Sequence, residues 1–336
     1  MNVIGIESSC DETSVAIISN GELKTNLVSS QDFHIEYGGV VPELSSRAHL
    51  QRINPLVKDA LIKSQLTLEN IDLITATAGP GLIGALLVGY TYAKGLAYSL
   101  KKTFVPVNHI EGHIFSGFLM EDKPEYPILT LVVSGGHTLL LIAESPIKIR
   151  ILGTTIDDAA GEAFDKVAKM IGLGYPGGPK IQSVASKGNK DAINFPIAEL
   201  KQQYHFSFSG LKTAVLRYIQ ALTKNGELGE SQLNDIAASF QNAVVKALSR
   251  QVKKAIQNFQ VKSISLVGGV AANKAIREEI INIGNKHGLK VVIPNYEFCG
   301  DNAAMIALRG QMLYESGERF SLDTPPFPSL KSKYFI

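Results

Sequence analysis

Two histidines, His109 and His113, stand four positions apart in a short polar segment that begins at Asn108. If this segment opens a helix with Asn108 as its N-cap, both imidazoles project from the same helical face. Imidazole pairs at this spacing are typical metal ligands, and we favour that role over a structural one in the core. A protein metal site of this kind needs at least one further ligand from elsewhere in the chain.

The carboxylate between the two histidines argues against one familiar metal chemistry. In zinc proteases of the His-Glu-x-x-His type, the general base directly follows the first histidine. Here Glu111 lies two positions after His109, about 200° around the helix. Glu111 is the third helical residue after Asn108, and we expect its carboxylate to cap its own helix.

The chain repeats one structural plan. Apolar segments 3–7 and 15–18 flank a polar turn and predict a first hairpin, and the run 128–142 predicts a second hairpin of the same kind. Each hairpin is followed later by a strand, a glycine turn and a helix. These later units begin at Ile71 and Ser263, and their helices begin at Leu82 and Lys274. The pattern indicates an internal duplication.

The glycine-containing turns of both halves suit an anionic ligand. Glycine lets the backbone N–H groups approach an anion without a Cβ in the way, and helix N-termini add a favourable dipole. Four such turns, two in each half, favour a phosphate or nucleotide site over four purely structural corners. The sequence contains neither a P-loop nor a Gly-x-Gly-x-x-Gly run at a strand end, so the usual motifs for nucleotides do not apply.

Composition sets wider limits. The 336 residues are 45% hydrophobic and 19% charged, which is typical of a globular protein with two domains of ordinary size. The apolar run 82–100 is interrupted by glycines and a lysine, which favours a buried helix over a membrane span. With only Cys10 and Cys299, and no leader pattern at the start, we expect a cytoplasmic protein without a disulfide framework.

The net charge of +2 neither requires nor excludes a nucleic-acid partner. A local basic stripe would serve such a partner, and lysine pairs offer candidates. The pairs are Lys101-Lys102, Lys253-Lys254, and Lys331 with Lys333. By themselves such pairs are more often solvated faces.

Nine motifs follow one another along nearly the whole chain. They occupy 5–13, 38–43, 78–81, 109–113, 133–137, 161–166, 206–212, 268–273 and 301–305. Together they resemble the motifs of the bacterial TsaD family, whose members take part in the synthesis of threonylcarbamoyladenosine in tRNA and were once described as O-sialoglycoprotein endopeptidases.

The resemblance implies a fold and an activity. The fold is α/β, a duplicated actin-like and sugar-kinase-like (ASKHA) ATPase fold with two subdomains around a central nucleotide cleft. We place the subdomains at 1–115 and 116–336, with an excursion around 186–230. The implied activity is transfer of threonylcarbamoyl from threonylcarbamoyl-AMP to N6 of adenosine 37 in tRNAs that read ANN codons, which forms t6A. ATP, ADP or AMP can occupy the same cleft.

The resemblance also implies site residues. It supplies Asp301 as the third metal ligand beside His109 and His113, with iron(II) as the metal and zinc as an alternative, although Asp301 also stands where a helix cap would. Asp11 and Glu12 are the candidates for a direct chemical role. The residues expected to bind the substrate or nucleotide are Val133, Ser134, Gly135, Gly136, His137, Asp165, Gly178 and Asn273.

One position departs from the family pattern. Many relatives have an aspartate where this chain has Gln182. An amide can still hydrogen-bond a ribose hydroxyl, but the strength of a charged acceptor is lost. Gln182 is therefore left out of the expected site.

The implied partners are tRNA, TsaB and TsaE, with TsaC supplying the donor, and no membrane. The apolar run from Leu82 to Tyr98 is a candidate surface for a partner helix, or simply core. Two other readings of the chain remain open: a metallopeptidase of the O-sialoglycoprotein type, and an actin-like ATP-binding scaffold without chemistry of its own.

Overall fold

A computed structural model of the chain describes residues 1–224, 228–328 and 333–334. Ten strands lie within these residues: β1 (Asn2–Glu7), β2 (Glu12–Ser19), β3 (Glu22–Ser30), β4 (Leu73–Gly79), β5 (Thr103–Asn108), β6 (Ile128–Val133), β7 (Thr138–Ser145), β8 (Lys148–Thr154), β9 (Ser263–Val267) and β10 (Lys290–Val292). The same described residues contain nine α-helices: α1 (Pro42–Ser64), α2 (Ile83–Leu100), α3 (His109–Phe115), α4 (Ala160–Met170), α5 (Gly177–Ala185), α6 (Ser209–Thr223), α7 (Glu230–Asn258), α8 (Lys274–His287) and α9 (Ala303–Glu315).

The chain forms two compact units. The first unit comprises Met1–Lys123, Pro146–Lys148 and the described part of Pro294–Ile336. The second unit comprises Pro124–Ser145 and Ile149–Ile293. These bounds differ from the predicted parts 1–115 and 116–336, because α9 packs on β1, β2 and β4 and so belongs with the N-terminal sheet. The predicted excursion around 186–230 contains α6, and its residues 225–227 lie outside the described residues.

Each unit contains one five-stranded sheet, and the two sheets share a topology. The strand orders are β3-β2-β1-β4-β5 and β8-β7-β6-β9-β10. In both sheets an antiparallel hairpin is joined by two strands parallel to its first strand. The duplication predicted from the sequence is confirmed.

The apolar runs that predict these strands form the cores of the sheets. Every residue of β4 and β6 is buried, and each strand pairs with a neighbour on both sides. In the first unit, Ile4, Ile17 and Tyr90 belong to one buried cluster that α1 and α2 also enter. Within the described residues, no helix combines the length and apolar character needed to cross a bilayer.

Helix α9 lies against its sheet at very short range. A Cβ on Gly5 of β1 would stand 2.5 Å from the carbonyl oxygen of Ala303, and one on Gly310 would stand 2.2 Å from Cγ2 of Thr75. No side chain fits at either position, because these distances are shorter than van der Waals contact. The two glycines therefore fix the distance between α9 and the strands, and with it the position of the residues just before α9.

A buried ion pair joins α9 to α3. The Arg309 side chain is fully buried, and its Nε and Nη2 donate to Oε2 of Glu111 at 2.8 and 2.5 Å. Its Nη1 donates to the carbonyl of Pro146 at 2.7 Å, and its guanidinium lies 4.4 Å from the ring centroid of Phe115. From the sequence we expected Glu111 to cap its own helix; the structure shows that its Oε2 accepts from an arginine 198 residues away.

Removing one partner of this pair should destabilise the fold strongly. Arg309→Met leaves the Glu111 carboxylate buried without its cation, so we expect a loss of about 3–5 kcal/mol in the free energy of unfolding. The double variant Arg309→Met, Glu111→Met removes both charges and should recover most of that loss. Urea denaturation measures both values.

The matched control is Arg52→Met on the exposed face of α1, which should change stability by less than about 0.5 kcal/mol. A single Arg309→Met variant as stable as this control would contradict the role given to the pair.

Candidate metal and nucleotide sites

Both histidines of the polar segment lie on α3, as their spacing predicts. The Asn108 side chain caps this helix, because its Oδ1 accepts from the N–H groups of Ile110 and Glu111 at 2.9 and 3.2 Å. The rings of His109 and His113 are 4.8 Å apart between centroids and nearly perpendicular. The predicted N-cap and the shared helical face are confirmed.

Asp301 meets both histidines. Its Oδ1 lies 3.1 Å from Nε2 of His113 and 3.3 Å from Nε2 of His109. One ligand atom from each of the three residues falls within 4.8 Å of the others. The helix-cap role that competed for Asp301 belongs to its neighbour, since Oδ1 of Asn302 accepts from the N–H of Met305 at 3.0 Å.

Opposite charges within the cluster shift the pKa values of His109 and Asp301 in opposite directions. Burial alone would lower the pKa of His109, but the carboxylates of Asp301 and Glu7 outweigh burial and raise that pKa well above its usual range. Burial acts to raise the pKa of Asp301, yet the neighbouring His109 holds it well below its ordinary value. Two imidazoles and a carboxylate that stays ionised are a donor set that fits iron(II) or zinc.

Glu7 contacts His109 at Nδ1, whereas Asp301 contacts the same ring at Nε2. It is fully buried at the end of β1, and its Oε2 lies 3.1 Å from Nδ1 of His109. Its Oε1 accepts from the N–H of Ser9 at 2.5 Å, and its Oε2 accepts from the hydroxyl of Thr77 at 2.5 Å. A carboxylate that accepts a hydrogen bond from Nδ1–H orients the His109 ring so that Nε2 faces the cluster. Sequence reasoning gave Glu7 no role, although a glutamate that ends a buried apolar strand is an available signal.

We expect Glu7→Gln to weaken metal binding by about 10–100-fold, as is typical for a carboxylate that orients a metal-ligating histidine. Titration of the metal-free protein with Zn²⁺ or Fe²⁺ measures this loss. His113→Ala, which removes a ligand, should lower the affinity further. The control is Glu22→Gln on the exposed edge strand β3. An affinity of Glu7→Gln equal to that of the control would show that Glu7 does not orient His109.

Asp11 and Glu12 lie at the turn of the first hairpin, in the first unit with the cluster. Both side chains are half-buried. Burial, reinforced by the charges of Asp301 and Asp11, raises the pKa of Glu12 to about 10. At neutral pH the Glu12 carboxyl therefore holds a proton unless a nearby cation lowers that pKa. Asp11 and Glu12 remain predictions for a direct chemical role.

His49 of α1 fixes this turn. Its Nδ1 lies 2.7 Å from the hydroxyl of Thr13, and its Nε2 lies 3.0 Å from the carbonyl of Cys10. A neutral ring satisfies both contacts, with Nε2–H donating to the carbonyl and Nδ1 accepting from the hydroxyl. Burial lowers the pKa of His49, and the hydrogen bond to Cys10 opposes this only in part. Sequence reasoning missed His49, because its contacts join residues 36 and 39 positions apart.

The lowered pKa of His49 predicts how stability depends on pH. Below the ordinary histidine pKa of about 6.5, the unfolded chain binds a proton that folded His49 does not bind, so the free energy of unfolding falls as pH falls. His49→Gln should be less stable than the wild type above this pKa, and the difference should narrow in acid. Urea denaturation across the range measures it, with the exposed His287→Gln as control. A difference that widens in acid contradicts a neutral His49.

The predicted phosphate turn lies in the second unit, directly after Val133 at the end of β6. The turn is closed by two hydrogen bonds: Ser134 N–H donates to the carbonyl of His137 at 2.8 Å, and His137 N–H donates to Oγ of Ser134 at 3.1 Å. Gly135 and Gly136 are exposed, and a Cβ on either would meet no atom within 4 Å. Neither glycine has a positive φ. Packing and backbone conformation therefore do not require glycine here, whereas access of an anion to the N–H groups would.

Helix α4 begins beside this turn, and α5 begins beside α4. Gly161 in the first turn of α4 donates its N–H to the carbonyl of Ser134 at 3.2 Å. Further along α4, Oδ1 of Asp165 accepts from the N–H of Gly177 at 2.7 Å, where α5 begins. Burial raises the pKa of Asp165, and this hydrogen bond offsets the effect in part. Gly178 follows in α5 with open space where a Cβ would stand.

Asn273 lies at the start of α8. Its Oδ1 accepts from the N–H of Ile276 at 3.2 Å, and its Nδ2 donates to Gln241 at 2.7 Å. Gln182 of α5 accepts from the N–H of Lys274 at 2.7 Å, so it helps to cap α8. This is a structural role that the sequence did not indicate.

Hydrogen bonds thus connect the turn to α4, α4 to α5, and α5 to α8. Helix α4 begins beside the turn that follows β6, and α8 follows β9, the strand that pairs in parallel with β6. The structure places Ser134–His137, Asp165, Gly178 and Asn273 in the second unit, and His109, His113, Asp301, Asp11 and Glu12 in the first.

Comparison with solved structures identifies the fold. HypF from T. kodakarensis superposes with a TM-score of 0.63 at 16% identity, over 94% of this chain and 48% of HypF. The activator of the 2-hydroxyisocaproyl-CoA dehydratase from Clostridium difficile, solved with bound ADPNP, gives a TM-score of 0.53 at 15% identity, over 96% of this chain and 100% of the activator. The chain thus has the two-unit α/β fold of the ASKHA type, and the predicted fold class is confirmed.

Comparison of sequences identifies the family. The family model described as TsaD, tRNA N6-adenosine threonylcarbamoyltransferase, matches residues 22–308. An enzyme of that name from Thermosipho africanus is 48% identical over 98% of this chain and 100% of its own length. Another from Clostridium perfringens is 49% identical over 96% of both chains. The chain belongs to the TsaD family of tRNA-modifying enzymes, as its motifs predicted.

Proposed function

We propose that the chain transfers a threonylcarbamoyl group from threonylcarbamoyl-AMP to N6 of adenosine 37 in tRNAs that read ANN codons, forming t6A. The observation that carries this proposal is the His109, His113 and Asp301 cluster, backed by Glu7, in a chain of the TsaD family. The reaction takes place in the cytoplasm on tRNA.

His109, His113 and Asp301 would hold one divalent metal, iron(II) in our proposal, with zinc as the alternative. When bound, such a metal supplies Lewis-acid chemistry that holds the donor and polarises its carbonyl. The buried carboxylate of Glu7 supports this assignment. A carboxylate that hydrogen-bonds the far ring nitrogen of a metal-binding histidine holds that ring in its orientation.

The transfer itself needs no nucleophilic side chain. The N6 amine of adenosine forms a C–N bond to the carbamoyl carbon, the C–O bond to the phosphate breaks, and AMP leaves while the amine gives up a proton. The chain must therefore position the donor and stabilise the charge that develops on the departing phosphate. The N–H groups of Gly135 and Gly136, two exposed residues without a Cβ, suit that phosphate.

The other predicted binding residues of the second unit contact the nucleotide part of the donor. In our proposal Ser134 and His137 hydrogen-bond the phosphate or carbamoyl oxygens next to the end of β6 at Val133. Asp165 and Gly178 contact the ribose, and Asn273 lies near the adenine. The carboxylate of Asp165 already accepts from Gly177, and its second oxygen atom offers a ribose hydroxyl an acceptor.

We assign the direct chemical role to Asp11 or Glu12. One of them orients the incoming amine or receives its proton. Glu12, whose pKa is raised to about 10, also suits a role as hydrogen-bond donor to an oxygen of the donor substrate.

The metallopeptidase alternative cannot use Glu111 as its general base. Such an enzyme needs a carboxylate free to activate water beside the metal. Oε2 of Glu111 is buried and accepts two hydrogen bonds from Arg309, so this carboxylate is engaged in holding α3 to α9.

We propose that TsaB binds the first unit, that TsaE joins the complex, and that TsaC supplies the donor. Apolar side chains stay exposed on α2: Ile83 and Leu87, four residues apart on one face, are each 47% exposed, and Tyr98 is 78% exposed. On the neighbouring α1, Leu50 and Ile62 are also exposed. These side chains support a helix-packing surface for TsaB in the first unit.

Reconstitution tests the proposed activity. The chain is combined with TsaB, TsaE, TsaC, threonine, bicarbonate, ATP and tRNA, and the digested tRNA is examined by nucleoside mass spectrometry. We expect t6A to form. Asp11→Asn should lower the rate by about 10²–10⁴-fold, the usual contribution of a general acid or base, without weakening metal binding.

The absence of t6A from the complete mixture would contradict the proposed function. Cleavage of a glycoprotein substrate that His109→Ala abolishes would instead establish the peptidase alternative.

A further inference from the structure

A basic groove runs along α7 in the second unit, and we propose that it binds the phosphate backbone of the tRNA. This inference rests on the proposed function for the identity of the RNA. The groove has a volume of about 640 Å³. Its lining includes five cationic side chains, Lys190, Lys246, Arg250, Lys253 and Lys254, against the single carboxylate of Glu279.

The cations follow one face of α7. Lys246, Arg250 and Lys254 are separated by four residues each, and Lys253 lies beside them, so the four charges repeat with the helical turn. From residue 246 to residue 254 the helix rises about 12 Å. An RNA strand presents several phosphates over such a length.

The segment that carries Lys190 is held in place against α7. The N–H of Asn189 donates to Asp235 of α7 at 2.7 Å, and Asn242 of α7 donates to the carbonyl of Lys190 at 3.0 Å. Arg250 donates to the carbonyl of Ala198. The segment around 189–198 has no regular structure, yet α7 fixes it at several points. A preformed groove loses less conformational freedom when a ligand binds.

The carboxylates near these cations are weak competitors for a phosphate. Lys253 pairs with Glu279 at 2.7 Å, while Lys246 and Arg250 reach Asp191 and Glu199 only at 4.0 and 3.9 Å. In all three pairs both side chains are largely or partly exposed. Exposed ion pairs contribute little, and their partners can be exchanged for another anion.

The lining favours backbone contacts over base contacts. Besides the charged groups, the lining includes Asn242, Ser249 and Gln257, and no aromatic side chain is among the described residues that line the groove. Bases of single strands are recognised mainly by stacking on aromatic rings. A groove of cations and small polar groups instead suits phosphates, which position an RNA without reading its sequence.

The double variant Lys246→Gln, Lys254→Gln tests the proposal in the full chain. Binding of fluorescently labelled tRNA is measured by anisotropy from about 50 to 200 mM salt. We expect weaker binding at every salt concentration, and a slope of log K against log salt reduced by about 1 for each lysine. Lys246→Arg, Lys254→Arg keeps the charges and should bind like the wild type.

The matched control is Lys58→Gln, Lys63→Gln, which removes the same charge from the exposed face of α1. It should leave the salt slope unchanged. A groove variant that binds tRNA with the affinity and slope of this control overturns the proposal. Loss of polyglutamate binding with tRNA binding intact also overturns it, because the groove would then serve an acidic peptide.

The reconstituted reaction separates this inference from the proposed function. The groove variant should raise the KM for tRNA several-fold and keep its kcat at saturating tRNA. If wild type forms t6A and the groove variant has an unchanged KM, the groove proposal fails while the function stands. If wild type forms no t6A but the groove variant still loses tRNA affinity and salt slope, the groove stands and the assigned reaction fails.

Discussion

The buried pair between Arg309 and Glu111 is the interaction on which the first unit depends. It removes two charges from water, a cost that good geometry and further hydrogen bonds must offset. The carbonyl of Pro146 and the ring of Phe115 provide that surrounding. Because α3 carries both histidines and Asp301 directly precedes α9, the pair that joins these helices also brings together the candidate metal ligands His113 and Asp301, which are 188 positions apart in the sequence. The site is therefore a consequence of how the C-terminal helix packs.

Local features of the sequence predicted the plan of the fold. Apolar runs bounded by polar or glycine turns marked the strands of both halves, and the histidine spacing and the Asn108 cap fixed the face of α3. Contacts distant in sequence left no such signal. The addition of α9 to the N-terminal sheet, the partner of Glu111, the support that Glu7 gives His109, and the link from Gln182 to α8 all join residues about 90 to 300 positions apart. Only packing brings them together, so periodicity and spacing could not reveal them.

The duplicated topology places two turns of different composition at equivalent positions in the two halves. The turn after β1 holds Asp11 and Glu12, and the equivalent turn after β6 holds Ser134 to His137. In the first unit, the carboxylates and imidazoles form a donor set that suits a cation. In the second, two exposed glycines and the neighbouring helix N-terminus form a turn that suits an anion. The two hairpins thus share one topology, and a few turn residues decide whether the turn suits a cation or an anion.

Gly135 and Gly136 have a thermodynamic consequence of their own. At a position where the native backbone accepts alanine, glycine makes the unfolded chain more flexible and costs the folded state about 0.4–1 kcal/mol. Both positions have open space for a Cβ and no positive φ, so each carries this cost without any benefit to packing. The second unit is therefore less stable than it would be with alanine at these two positions.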